Sequence, residues 1–147
     1  RPTTWRTSSR RDWCSSPSAR MAAAHASPDL VSSLRQAVDD LATAPRGQDF
    51  ETFRDYLEAD QRFHQLIFEG IGNDFLAQAY APLGGQLQRF RLFSGSGVTD
   101  ASSTIPEHDA VLQAIAAGDG ERAAAAMIAH LNGVRERALL DLETHSH

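Results

Sequence analysis

Phe53, Leu57, Asp60, His64, Ile67 and Ile71 follow one another at steps of four, three, four, three and four residues. Only an α-helix brings such positions onto one side of the chain, because its turns stack residues three and four apart. The stripe is apolar at both ends, so it faces a core, yet its two middle members are a carboxylate and an imidazole. A fold built on this segment must bury polar atoms and find them a partner.

The same period governs the chain from about residue 28 onward. Ser27-Pro28 pairs a capping hydroxyl with a first-turn proline and opens a helix through Leu30, Val31, Leu34, Val38 and Leu41. Residues 44–48 read as a loop, and Gly72-Asn73 stops the central helix. A helix from about Phe75 to Phe93, weakened at Gly84-Gly85, leads into a Gly/Ser/Thr-rich loop from Ser94 to Ser103 that has no phosphate-binding context. Thr104-Ile-Pro-Glu107 fits a capping box, with Thr104 as cap and Glu107 reaching back to the free amide. His108, Val111, Leu112 and Ile115 share a face of the helix that it opens. Gly118-Asp119-Gly120 breaks that helix, and Asp119 caps the last one, Glu121 to about Glu143. The inner stripe of the last helix is Ala123, Met127, His130, Val134 and Leu140 or Ala138. With no strand-like alternation and no internal repeat, the expected fold is all-α: an antiparallel bundle of about six helices around a central metal site.

That metal site follows from four side chains. Asp60 and His64, one turn apart, can reach a single ion from one helix, and antiparallel packing of the two later helices can bring His108 and His130 to the same point. One carboxylate and three imidazoles suit a divalent Zn, Ni, Mn or Fe ion without choosing among them. An octahedral ion would keep two positions for water or for the carboxylate of a small ligand. Each residue alone has an ordinary alternative, a hydrogen-bonded core histidine or an Asp60–Arg54 ion pair. Together they would be costly to bury without a cation. Arg89 and Arg91, on the helix expected to face the site, are candidate clamps for a carboxylate effector, with a solvated helix face as the alternative. Asn73 is a candidate effector contact, although a helix stop accounts for it as well. His25, His145 and His147 are expected in solvent.

Length, charge and cysteine usage narrow the class. A chain of 147 residues is one domain with a real core. Its net charge of -5 and pI of about 5.6 argue against gripping a phosphate backbone. No apolar run reaches the length of about 18 residues that a membrane span requires. The single Cys14 and the lack of a secretory signal fit a cytoplasmic protein. Because the chain opens on Arg1, it reads as a piece of something longer. Residues 1–18 stand apart: Ser, Thr and Arg dominate beside Trp5 and Trp13, with almost no aliphatic side chains. That segment reads as disordered or foreign to the fold, leaving residues 19–147 as the domain.

The ordered set Ala19-Arg-Met-Ala-Ala-Ala24, Asp60-x3-His64, Gly72-Asn73, Glu107-His108, Ala114-Ile115-x2-Gly118-Asp119 and Met127-x2-His130-Leu131 resembles one family. It is similar to the effector-binding C-terminal domain of GntR-type transcription regulators, the FadR C-terminal domain (FCD) class, from about Ala19 to Arg137. The resemblance implies a bundle of six or seven helices and a metal at the positions of Asp60, His64, His108 and His130. It also implies a small organic or sugar acid as effector and a homodimer. Operator DNA would be reached only through a winged helix-turn-helix domain that this sequence does not include. On that reading the chain is not an enzyme. A small helical metalloenzyme is the second reading and lacks a general base, since Glu107 is read as a cap; an interaction bundle without a ligand is the third.

The family's first helix is apolar and acidic, and residues 1–18 depart from it. Thr3 to Ser16 can be encoded so that a one-base shift reads Asp-Asp-Leu-Glu-Asp-Val-Phe-Glu-Ala-Arg-Leu-Val-Leu-Glu, an amphipathic helix former. The segment is therefore expected to be a frameshift product.

Overall fold

The computed structural model describes residues 10–44, 50–82 and 101–145. They form six helices: α1 (Arg10–Ala24), α2 (Pro28–Thr43), α3 (Phe50–Gly70), α4 (74–82), α5 (Ala101–Ala116) and α6 (Gly120–His145). No strand occurs among the described residues. The fold is the all-α bundle that the periodicity implies.

Helix ends are set by local chemistry. Ser27 Oγ accepts the amide of Leu30 at 3.1 Å, and Pro28 fills the first helical position, where no hydrogen-bond donor is needed. α5 stops at Gly118, which takes a positive φ of 68° while the Asp119 amide reaches back to the Ala114 carbonyl at 3.0 Å. Asp119 Oδ1 then accepts the Arg122 amide at 3.1 Å and starts α6. The turn is so short that α5 and α6 must pack against each other.

One core joins five elements. Leu34 and Val38 of α2, Phe63 and Ile67 of α3, Val111, Leu112 and Ile115 of α5, and Met127 of α6 meet Ala19, Ala22 and Ala23 of α1. Small residues on α1 let it lie close to α5 and α6. A second cluster holds Leu41, Tyr56 and Leu57, and Phe68 stacks on Tyr80 where α4 folds back on α3.

Three expectations and one alternative need correction. α1 reaches back to Arg10, into the segment whose composition shows no stripe, because burial of Ser18, Ala19, Ala22 and Ala23 nucleates a helix that then extends at low cost. Pro17 inside it forgoes the bond to the carbonyl four residues back. α5 begins at Ala101, three residues before Thr104, so Thr104 is a buried helical residue and the capping box does not form. Leu140 is 61% exposed, and the inward position one turn earlier belongs to Arg137. Asp60 does not pair with Arg54, which lies beside Asp55 and Glu58 instead.

Candidate metal centre

Three helices deliver the four donors. α3 carries Asp60 and His64, α5 carries His108, and α6 carries His130. The three histidines are buried, and the Asp60 side chain keeps 13% of its surface. One ligand atom from each residue can be chosen so that all lie within 4.8 Å of one another. Asp60 Oδ1 is 3.0 Å from His108 Nε2 and 3.9 Å from His64 Nε2, and His64 Nε2 is 3.3 Å from His130 Nε2. Donors bound at about 2.1 Å lie about 3.0 Å apart when cis on an octahedral ion and about 3.4 Å apart on a tetrahedral one. The observed spacings bracket both.

The ring atoms explain why a cation suits the space. The carbonyl of Thr104 can only accept, and it lies 2.7 Å from His108 Nδ1, so Nδ1 carries a proton and, in the neutral ring, Nε2 keeps a lone pair. That Nε2 is buried and makes no hydrogen bond, although Asp60 Oδ1 is close by. Two acceptors therefore face each other across 3.0 Å, an arrangement that a divalent ion relieves. Phe63 stands edge-on to His108, with ring centroids 4.8 Å apart, and forms an apolar wall behind it. Burial holds His130 below the ordinary imidazole range, outweighing the hydrogen bond to Glu107 that favours its protonation. Neutral imidazole is the form that binds metal. The donor set fits a borderline divalent ion.

Behind His130 lies a second group of contacts that sequence reasoning missed. His130 Nδ1 is 2.9 Å from Glu107 Oε2, and Arg137 grips both oxygens of Glu107 at 2.9 and 2.8 Å. Burial pushes the Glu107 carboxyl up, but hydrogen bonds from His130 and Arg137, together with their charges, bring it down to about 2. Arg137 lies seven residues beyond His130, on the same helix face. That spacing was the available signal, obscured because an arginine does not look like part of an inner stripe.

Asn73 sits exposed, and its Oδ1 accepts the Leu76 amide at 3.2 Å, so it caps α4. Arg89 and Arg91 lie outside the described residues, as does His147. His25 is exposed, with Nδ1 against the Met21 carbonyl at 3.0 Å.

With this geometry in hand, comparison with known proteins is decisive for the family. The FCD domain matches residues 16–133. The chain belongs to the FCD domain family. The FCD bundle is also similar in fold to Streptococcus agalactiae GntR, with a TM-score of 0.67 at 22% identity over 86% of this chain. The chain spans 55% of that protein, little more than half its length. No curated protein sequence matches this FCD domain.

Proposed function

We propose that this FCD domain is the effector-sensing part of a GntR-type transcription regulator. In this reading Asp60, His64, His108 and His130 hold a divalent metal, and a small organic or sugar acid is sensed there. The observation that carries the proposal is the convergence of one carboxylate and three imidazoles within 4.8 Å, with a buried His108 nitrogen left without a hydrogen bond. When bound, the metal supplies a positive point to which an effector carboxylate can coordinate. The protein's part is to tie α3, α5 and α6 to one centre, so that occupancy bears on how the three helices sit. An effector acts by favouring one such arrangement over another.

Operator DNA, on this account, is read by a domain outside this sequence, and two copies of the FCD domain pair to set its spacing. The net charge of -5 supports leaving DNA contact to another domain. Among the described residues no helix is long and apolar enough to cross a membrane, which agrees with a cytoplasmic regulator. A non-enzymatic role is favoured because Glu107, the carboxylate beside the centre, is engaged by His130 and Arg137 and is poorly placed to act as a general base.

The test is a thermal melt of the chain loaded with zinc, nickel, manganese or iron(II), against a panel of small carboxylic and sugar acids. At least one acid should raise the melting temperature of the loaded protein and leave the metal-free protein unmoved. A panel without effect on any loaded form would sink the acid-sensing reading, and turnover of a panel member would favour the enzyme.

A further inference from the structure

The group behind His130 goes beyond ion holding, although its role rests on the metal reading above. We propose that Glu107 and Arg137 are positioning residues that fix the tautomer of His130 and aim its Nε2 at the centre.

A buried neutral imidazole can carry its proton on either nitrogen, and only one choice leaves the inward nitrogen able to bind a cation. In His130 the outward nitrogen is Nδ1, 2.9 Å from Glu107 Oε2, and the inward one is Nε2, 3.3 Å from His64 Nε2. An ionised carboxylate only accepts hydrogen bonds, so Glu107 calls for the proton on Nδ1 and leaves the Nε2 lone pair to the centre. Arg137 holds that carboxylate in a two-pronged grip, Nη1 to Oε1 at 2.9 Å and Nη2 to Oε2 at 2.8 Å. The same Nη2 lies 3.5 Å from Thr104 Oγ1, and the carbonyl of Thr104 accepts the hydrogen bond from His108 Nδ1. One guanidinium thus steadies the supports of two rings.

The backbone makes room for this group. A Cβ on Gly133 would stand 2.6 Å from Glu107 Oε1 and 3.0 Å from Arg137 Nη1. Gly133 lies between His130 and Arg137 in the interior of α6, where glycine is otherwise disfavoured. The pair is also well sheltered: side-chain exposures are 18% for Arg137 and 22% for Glu107, against 55% and 82% for the surface pair Arg20–Glu121. Losing the acceptor to which a ligating histidine donates its far N–H typically costs about 10–100-fold in metal affinity.

The test uses the full 15N-labelled chain and zinc alone. The variant is Glu107→Leu/Arg137→Met, which removes both charges and leaves neither buried alone. Long-range 1H–15N spectra of the metal-free parent should give His130 with its proton on Nδ1. The variant should move that proton to Nε2 and lower zinc affinity about 10–100-fold. Arg20→Ala, which breaks the surface pair, should change neither readout. An unmoved His130 proton with zinc affinity within about twofold of the parent would overturn the proposal, because a purely structural α5–α6 bridge predicts that result. If the double variant does not fold, Glu107→Gln replaces it, which keeps the side chain's shape and an oxygen for Arg137, with the same two readouts and the same outcomes deciding for or against the proposal. If the parent takes up no zinc, the metal reading fails, and the tautomer alone decides whether Glu107 and Arg137 position the ring.

Discussion

Replacing Asp60 by asparagine should raise the melting temperature of the metal-free protein and remove most of its stabilisation by zinc. Asp60 Oδ1 lies 3.0 Å from His108 Nε2, and in a neutral ring with its proton on Nδ1 both atoms are acceptors unless a cation lies between them. An amide of the same shape offers a donor to that nitrogen. A new hydrogen bond contributes about 0.5–1.5 kcal/mol, and satisfying a buried orphan acceptor relieves about 1–3 kcal/mol, so a gain of about 1–2 kcal/mol is expected. At about 3–4 °C per kcal/mol for a chain of this size, the metal-free variant should melt about 3–8 °C above the parent. Zinc at a hundred times the parent's Kd stabilises the parent by about 2.7 kcal/mol. If losing the anionic donor weakens binding about a hundredfold, the same zinc gives the variant only about 0.4 kcal/mol. Differential scanning fluorimetry with chelator and with zinc reads both changes. A metal-free variant destabilised by about 3 kcal/mol or more would show instead a buried ion pair between Asp60 and a charged His108, since that is the cost of breaking one.

Acid should destabilise the metal-free chain in two stages. His130 has a folded pKa below its ordinary 6.5, so its unfolded form binds the extra proton first and stability falls as the pH drops below about 6.5. Glu107 is lowered from 4.5 to about 2, so its contribution is complete above 4.5 and is lost as the pH falls toward 2. Urea titrations across this range check both, and stability rising on acidification below 6.5 would contradict them. Gly133→Ala should stabilise by less than the gain of about 1 kcal/mol normal for a helix interior, because the new methyl displaces Glu107 Oε1 from its bond to Arg137. Chemical denaturation gives the difference directly. The coding DNA for Thr3 to Ser16 should be compatible with the one-base-shifted amphipathic peptide, and incompatible codons would end the frameshift account.

Much of this architecture was legible because helices announce themselves by period and by caps. Ser27-Pro28 and Gly118-Asp119 carry their own hydrogen-bonding logic within a few residues, so α2 and the α5–α6 turn could be drawn from the sequence. The convergence of Asp60, His64, His108 and His130 was legible for a different reason: polar side chains on apolar stripes need an explanation, and the bundle brings these four together. Thr104 misled because a capping box is a local pattern, while its burial comes from neighbours remote in sequence. Arg137 was passed over because its partner, Glu107, is 30 residues away on another helix. Composition placed residues 10–18 outside the fold for want of a stripe, and it could not register that a helix anchored further along continues through them.

Metal content of the purified chain, by elemental analysis beside an Asp60→Ala/His130→Ala variant, is the sharpest check on the four-residue centre. About one equivalent of a divalent metal in the parent, lost in the variant, is the predicted result. A folded parent that holds no metal, even after incubation with zinc, nickel, manganese and iron(II), would contradict the metal reading and leave the four residues as polar members of the core.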